Sequence, residues 1–171
     1  MKNKPSRALD EIIDAYHLEC DLLTIARRAV DRGHVTILSG TGFIARSVDA
    51  GRADVRRLRA RLDDVTVMAL WVVFERHVLT HVMSQVRVGS ATTTFDTSLE
   101  DHIAEKLEYS RFDELLDLYK SEIDARDVGD VKNVKKYRDW VAHRNPKRAP
   151  PAVIDPVTAR AKLGDVMDQI V

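Results

Sequence analysis

The residues with the clearest chemical potential lie in one run, Lys135-Lys136-Tyr137-Arg138-Asp139-Trp140-Val141-Ala142-His143-Arg144-Asn145-Pro146. A histidine, a carboxylate and a guanidinium are the parts that metal-free phosphodiester cleavage calls for. His143 can move protons at a 2′-hydroxyl or a leaving oxygen, and Arg138 can hold phosphate oxygens and their developing charge. Asp139 stands four residues before His143, so on a helix the two are neighbours and the carboxylate can fix the imidazole tautomer. Lys135, Lys136, Arg144, Lys147 and Arg148 surround the pair and would draw RNA to it. The simpler alternative is an amphipathic helix that carries an i,i+4 ion pair and no chemistry.

A second Arg-x4-His pair, Arg76 to His81, lies in the middle of an apolar stretch. Together with Glu75 it is a candidate support for the first pair. His77 and His81, at i and i+4, also have the spacing of two zinc ligands, but zinc needs a third and the sequence names none. No metal and no cofactor are expected. Ser39-Gly40-Thr41-Gly42 lacks the Lys-Ser/Thr ending and the preceding strand of a phosphate loop, and reads as a connection.

The elements that must position these residues are helical. Apolar positions Leu9, Ile12, Ile13, Tyr16, Cys20, Leu23 and Val30 recur at helical spacing up to a stop at Gly33. Residues 34–51 read as a polar loop. A long second helix is expected from about Ala53 to about Val86, with Val55, Leu58, Leu62, Val65, Leu70, Val73, Phe74, Val78 and Val82 facing inward. Its apolar face is broad enough that partner helices, or a second subunit, must cover more than one side. After a break over 89–97, Ser98 caps a third helix carrying Leu99, Ile103, Leu107, Phe112, Leu115, Leu116, Tyr119 and Ile123. Gly129-Asp130 restarts the chain into a fourth helix, 131–144, which Asn145-Pro146 ends. Asp155-Pro156 opens a short last one. The expected fold is an all-α bundle of about five helices forming a single domain over 1–171.

Composition bounds the partners. The chain has 171 residues, 44% apolar and 32% charged, a globular balance that leaves room for a real core. One cysteine precludes an internal disulfide, and Cys20 itself reads as core. The longest apolar run, Val67 to Phe74, is far short of the ~18 residues of a membrane span, and the N-terminus lacks the pattern of a secretory signal. A cytoplasmic protein with no membrane partner is expected. The formal net charge is zero, yet residues 98–130 carry eleven acids against four bases and residues 131–148 carry seven bases against one acid. A further basic run, Arg52 to Arg61, has five arginines and one aspartate. Such asymmetry points to an anionic partner despite the neutral sum.

Arg138-Asp139-Trp140-Val141-Ala142-His143 fits the R-polar-x-x-x-H motif, and with its place late in an all-helical chain it resembles the HEPN domains. Phe74-Glu75-Arg76 inside the long helix resembles the branch of that superfamily associated with RNA repair and antiphage loci. The resemblance implies a homodimeric, metal-independent endoribonuclease, of toxin or antiphage-defence type, that leaves a 2′,3′-cyclic phosphate. It also implies that two protomers bring their motifs into one cleft. Arg138 and His143 stand about 140° apart around a helix, so two copies across a two-fold axis make a better site than one. In toxins silenced by a nucleotidyltransferase antitoxin a tyrosine follows two residues after the motif histidine. Here Asn145 takes that place, which argues against that route while leaving another antitoxin or defence-locus protein as a partner. The competing expectation is a non-catalytic helical module that binds a nucleotide, RNA or a protein.

Overall fold

The computed structural model describes residues 4–89, 102–103, 105–106, 112–143 and 151–170. Among them are six α-helices: α1 (Arg7–Asp31), α2 (Val35–Leu38), α3 (Val48–Gly89), α4 (Phe112–Leu118, continued by a 3₁₀ turn Tyr119–Ser121), α5 (Ala125–His143) and α6 (Pro156–Gln169). No strand occurs among the described residues, and the protein is an all-α bundle.

α1 ends where a left-handed residue is needed. Gly33 has φ +61°, its amide donates to Val30 O at 3.2 Å and the His34 amide donates to Ala29 O at 3.0 Å. These two bonds satisfy carbonyls that the last turn leaves open. The chain then reverses through α2, so that α1 and α3 lie antiparallel. Residues 34–51 are therefore less of a loop than their composition suggests, and α3 begins at Val48, before the expected Ala53. Gly51 lies inside this helix because Val30 presses on it: a Cβ there would sit 2.7 Å from Val30 Cγ1. Further along the hairpin, Tyr16 donates to Asp63 Oδ1 at 2.8 Å, and Arg59 reaches both Asp63 Oδ1 (3.0 Å) and the Tyr16 hydroxyl (2.7 Å). Cys20, expected as core, is only half-buried.

The main core gathers Leu9 of α1, Val67, Leu70, Trp71, Phe74 and Val78 of α3, Leu115 and Leu116 of α4, Val131 and Val134 of α5, and Leu163 and Met167 of α6. Phe112 packs edge-on to Trp71 and Phe74, with ring centroids 5.1 and 6.1 Å apart. A second, small cluster of Ala29, Val30 and Leu38, joined by Phe43, fills the corner between α1 and α2. Two expected core residues face the other way. Leu58 and Val65 are 45% and 53% exposed, and with Val72 (52%) they mark an outward seam at seven-residue spacing. A helix 42 residues long has room for two apolar faces, and only one of them is covered here. The same feature gives α3 an 18-residue window of mean hydropathy 1.3, one third of it buried, so by length and composition it is, among the described residues, the one helix long and apolar enough to cross a bilayer. Its inner face is nevertheless packed against four other helices.

α5 starts earlier than its glycine suggests. Asp124 accepts the Arg126 amide at 2.7 Å and the helix runs from Ala125 straight through Gly129. The expected cap at Ser98 and the stop at Asn145-Pro146 lie outside the described residues. α6 opens as expected: Asp155 accepts from the Thr158 amide (3.0 Å) and hydroxyl (2.6 Å), with Pro156 in the first turn. Those bonds hold the Asp155 carboxyl below its usual range. A depressed folded-state value gives stability that is present above the ordinary aspartate range and is lost as pH falls through that value. Asp155→Ala should therefore cost about 1 kcal/mol near neutral pH, a drop of roughly 2–4 °C in melting temperature. The gap between the two melting curves should narrow in acid, which calorimetry at a series of pH values checks.

Candidate functional site

α5 carries the site, and its inner face explains why it lies where it does. Val134, Tyr137 and Val141 are buried, and the Tyr137 hydroxyl donates to Asp64 Oδ1 of α3 at 2.7 Å. That bond fixes the rotation of α5 about its axis and places Arg138 at the rim, against α3. There Arg138 Nη2 donates to both Glu75 oxygens at 3.3 and 3.4 Å, and Nη1 to Asp139 Oδ1 at 2.9 Å. The guanidinium carbon lies 5.1 Å from the centre of the Trp71 ring, a cation–π stack on a fully buried indole. Arg138 Nε is buried and without a hydrogen-bond partner among the described residues.

Asp139 has partners other than the expected one. Besides Arg138 it accepts from Lys135 Nζ at 2.8 Å, and among the described residues no hydrogen bond joins it to His143. Two cations within reach, one of them an i,i+4 neighbour on the N-terminal side, take both its oxygens. Lys135 in turn sits 3.6 Å from Asp113 of α4, and Lys132 donates to Asp117 at 2.6 Å. Lys120 and Lys132 together hold the Asp117 carboxyl below its usual range. Part of the basic run is thus answered by the acidic segment before it. Lys135 is 20% exposed in its side chain and paired, whereas Lys136 is exposed. Arg144, Lys147 and Arg148 lie outside the described residues.

His143 is exposed in the last turn of α5. Being three residues from Trp140, it stands on that residue's side of the helix, away from Arg138. Within one protomer the structure therefore does not bring His143 and Arg138 to a common point, as the helical spacing requires.

Of the three supporting candidates only Glu75 joins the cluster. Arg76 is exposed on α3. His81 packs edge-on against Tyr119 at 5.8 Å and its Nε2 lies 2.8 Å from Gln85 Nε2, while His77 Nε2 lies 3.3 Å from Ile170 O. Burial and the neighbouring His77 lower the His81 pKa. No third metal-ligating side chain joins these histidines among the described residues.

Trp71 beneath Arg138, the Tyr137–Asp64 bond and the Lys132–Asp117 pair are contributions that the sequence alone did not single out. The only hint was the juxtaposition of an acidic segment with a basic one. A groove between α3 and α5, described below, belongs to the same class. Because the Arg138–Glu75 pair is half-buried, a double-mutant cycle with Arg138→Met and Glu75→Gln should return a coupling energy of about 1 kcal/mol from urea unfolding. A value near zero would leave the stack on Trp71 as the only tie between Arg138 and α3. Compared with protein-family models, curated proteins and solved structures, the chain matches none.

Proposed function

We propose that this protein is a metal-independent endoribonuclease whose working form is a homodimer. The observation that carries the reading is the Glu75–Arg138 contact. It unites the two segments on which the HEPN resemblance rests, Phe74-Glu75-Arg76 and Arg138-x4-His143, across 63 residues of sequence. Glu75 holds Arg138 through bonds of 3.3 and 3.4 Å, at the long end of the range, which a phosphate oxygen can displace. His143 is exposed in the last turn of α5.

In the reaction His143 removes the 2′-hydroxyl proton and the 2′-oxygen attacks the adjacent phosphorus. The phosphorus–5′-oxygen bond breaks, a proton returns to the leaving oxygen, and the products are a 2′,3′-cyclic phosphate and a 5′-hydroxyl end. Arg138 neutralises charge on the non-bridging oxygens. Because one helix holds Arg138 and His143 apart, Arg138 of one protomer serves His143 of the other. The exposed Val72 of α3, with the half-buried Ala69 and Met83 on the same side of the helix, supplies an apolar surface for that pairing. A toxin or antiphage role, with a protein partner, follows the family resemblance.

A second reading has an observation of its own. Arg138 is compensated by Glu75 and Asp139 and stacked on Trp71, the environment of a structural clamp. A helical module that binds RNA, a nucleotide or a protein without turnover would keep it so.

The nuclease reading expects cleavage of single-stranded RNA in EDTA with cyclic-phosphate ends, and a loss of at least about 100-fold in His143→Ala. Unchanged cleavage by His143→Ala overturns it, and binding without any cleavage favours the module. Light scattering should give twice the monomer mass for the wild type, and Val72→Glu should yield a folded monomer with little activity. A wild type that stays monomeric at high micromolar concentration removes the shared site.

A further inference from the structure

The basic run 52–61 takes no part in the reaction above, and the fold places it opposite α5. Arg57 and Arg61 of α3 share the wall of an open groove of about 830 Å³ with Tyr137, Trp140 and Val141 of α5. We infer that this groove is a subsite for single-stranded RNA, with a nucleobase against the Trp140 side and the adjoining phosphate on Arg61. The inference rests on the ribonuclease reading for the identity of the ligand.

Three features carry it. The first is charge. Arg57 is paired with Asp54, but among the described residues no carboxylate pairs with Arg61, which is exposed. Two acids also line the groove: Asp63 is bonded to Tyr16 and Arg59, and Asp64 accepts from the Tyr137 hydroxyl. Among the described residues, the Arg61 guanidinium is the charged group of the groove that has no partner. The second is its floor. The Tyr137 and Trp140 rings are stacked, 6.2 Å apart at 25°, and Leu58 and Val65 add apolar wall from α3. A flat aromatic and aliphatic surface beside one cation takes a base and its phosphate, and takes them without sequence preference. The Trp140 indole N–H is buried and has no acceptor among the described residues. The third is position. Trp140 and His143 are neighbours on one side of α5, so a strand seated on Trp140 passes His143, whereas Arg138 lies on the helix's other side. In this arrangement Arg61 holds the strand from the same protomer as the histidine, and Arg138 arrives from the second.

The test uses the His143→Ala protein in EDTA, so that binding is read without turnover. Fluorescence anisotropy of a short labelled single-stranded oligoribonucleotide gives affinity, and the tryptophan emission of the protein with the unlabelled strand reports the floor. Only two tryptophans exist, and Trp71 has no exposed surface. Arg61→Glu should weaken binding at least roughly tenfold and flatten its salt dependence. Bound RNA should quench the emission of the parent protein but not of Trp140→Phe, whose aromatic replacement preserves the packing. No binding by the parent, affinity within twofold in Arg61→Glu, quenching that persists in Trp140→Phe, or equal affinity for a duplex of the same sequence would each overturn the subsite. The two readings fail separately. Binding that depends on Arg61 in a protein that never cleaves RNA leaves the subsite and removes the nuclease. Wild-type cleavage that Arg61→Glu leaves unchanged does the reverse.

Discussion

Trp71 and Phe74 lie adjacent on α3 with no exposed surface, and Phe112 closes over both. Burying two large rings on a single helix forces α4, α5 and α6 to converge on the same stretch of it. Each full burial of this kind removes about 150–250 Å² of aromatic surface from water, so this is where the bundle gains most per residue. The site follows from that convergence. α5 has to lie close enough for Val131 and Val134 to join the rings, and Tyr137, one turn on, then meets Asp64. The guanidinium of Arg138 is left over the outer face of the same Trp71. Core and site are in this sense built on one residue, and a change in the ring would reach Arg138 directly.

Electrostatics then refine what packing places. A neutral total conceals an acidic segment that is folded against a basic one, Asp113 beside Lys135 and Asp117 beside Lys132. These are ties between α4 and α5 rather than a surface offered to an anion. Exposed pairs of this sort contribute little to stability, so their main effect is on where positive potential remains. Near the α3–α5 contact it remains at Lys136, Arg61 and Arg76, at the margins of the contact and not at its centre.

Local signals were readable in the sequence to the extent that local bonds decide them. Gly33 and Asp155-Pro156 mark helix ends because the cap hydrogen bonds involve residues within a few positions. Gly51 and Gly129 were misleading. Each looks like a break, yet one is demanded by Val30 across the hairpin and the other is carried by a cap five residues earlier. Leu58 and Val65 fit an inward stripe by periodicity, which fixes angle but not which of two apolar faces meets the core. At the site, Arg138, Asp139 and His143 stand out by type and spacing, and Glu75 by its flanking motif. Asp139 spends its oxygens on Lys135 and Arg138, local partners that helical spacing allows as readily as His143. Arg138, by contrast, rests on Trp71 through a contact made over 60 residues of chain, which no spacing rule reaches.

The small cluster of Ala29, Val30, Leu38 and Phe43 is separate from the main core. It seals the far end of the α1–α3 hairpin, well away from α4, α5 and α6. Two disconnected cores at opposite ends of one helical hairpin mean two cooperative units of unequal depth. No residue of the corner touches Trp71 or the seat of Arg138, so loss of packing there leaves both in place. The length of α3 thus insulates one end of the molecule from the other, and the sequence of the corner is free to drift without disturbing the chemistry at α5.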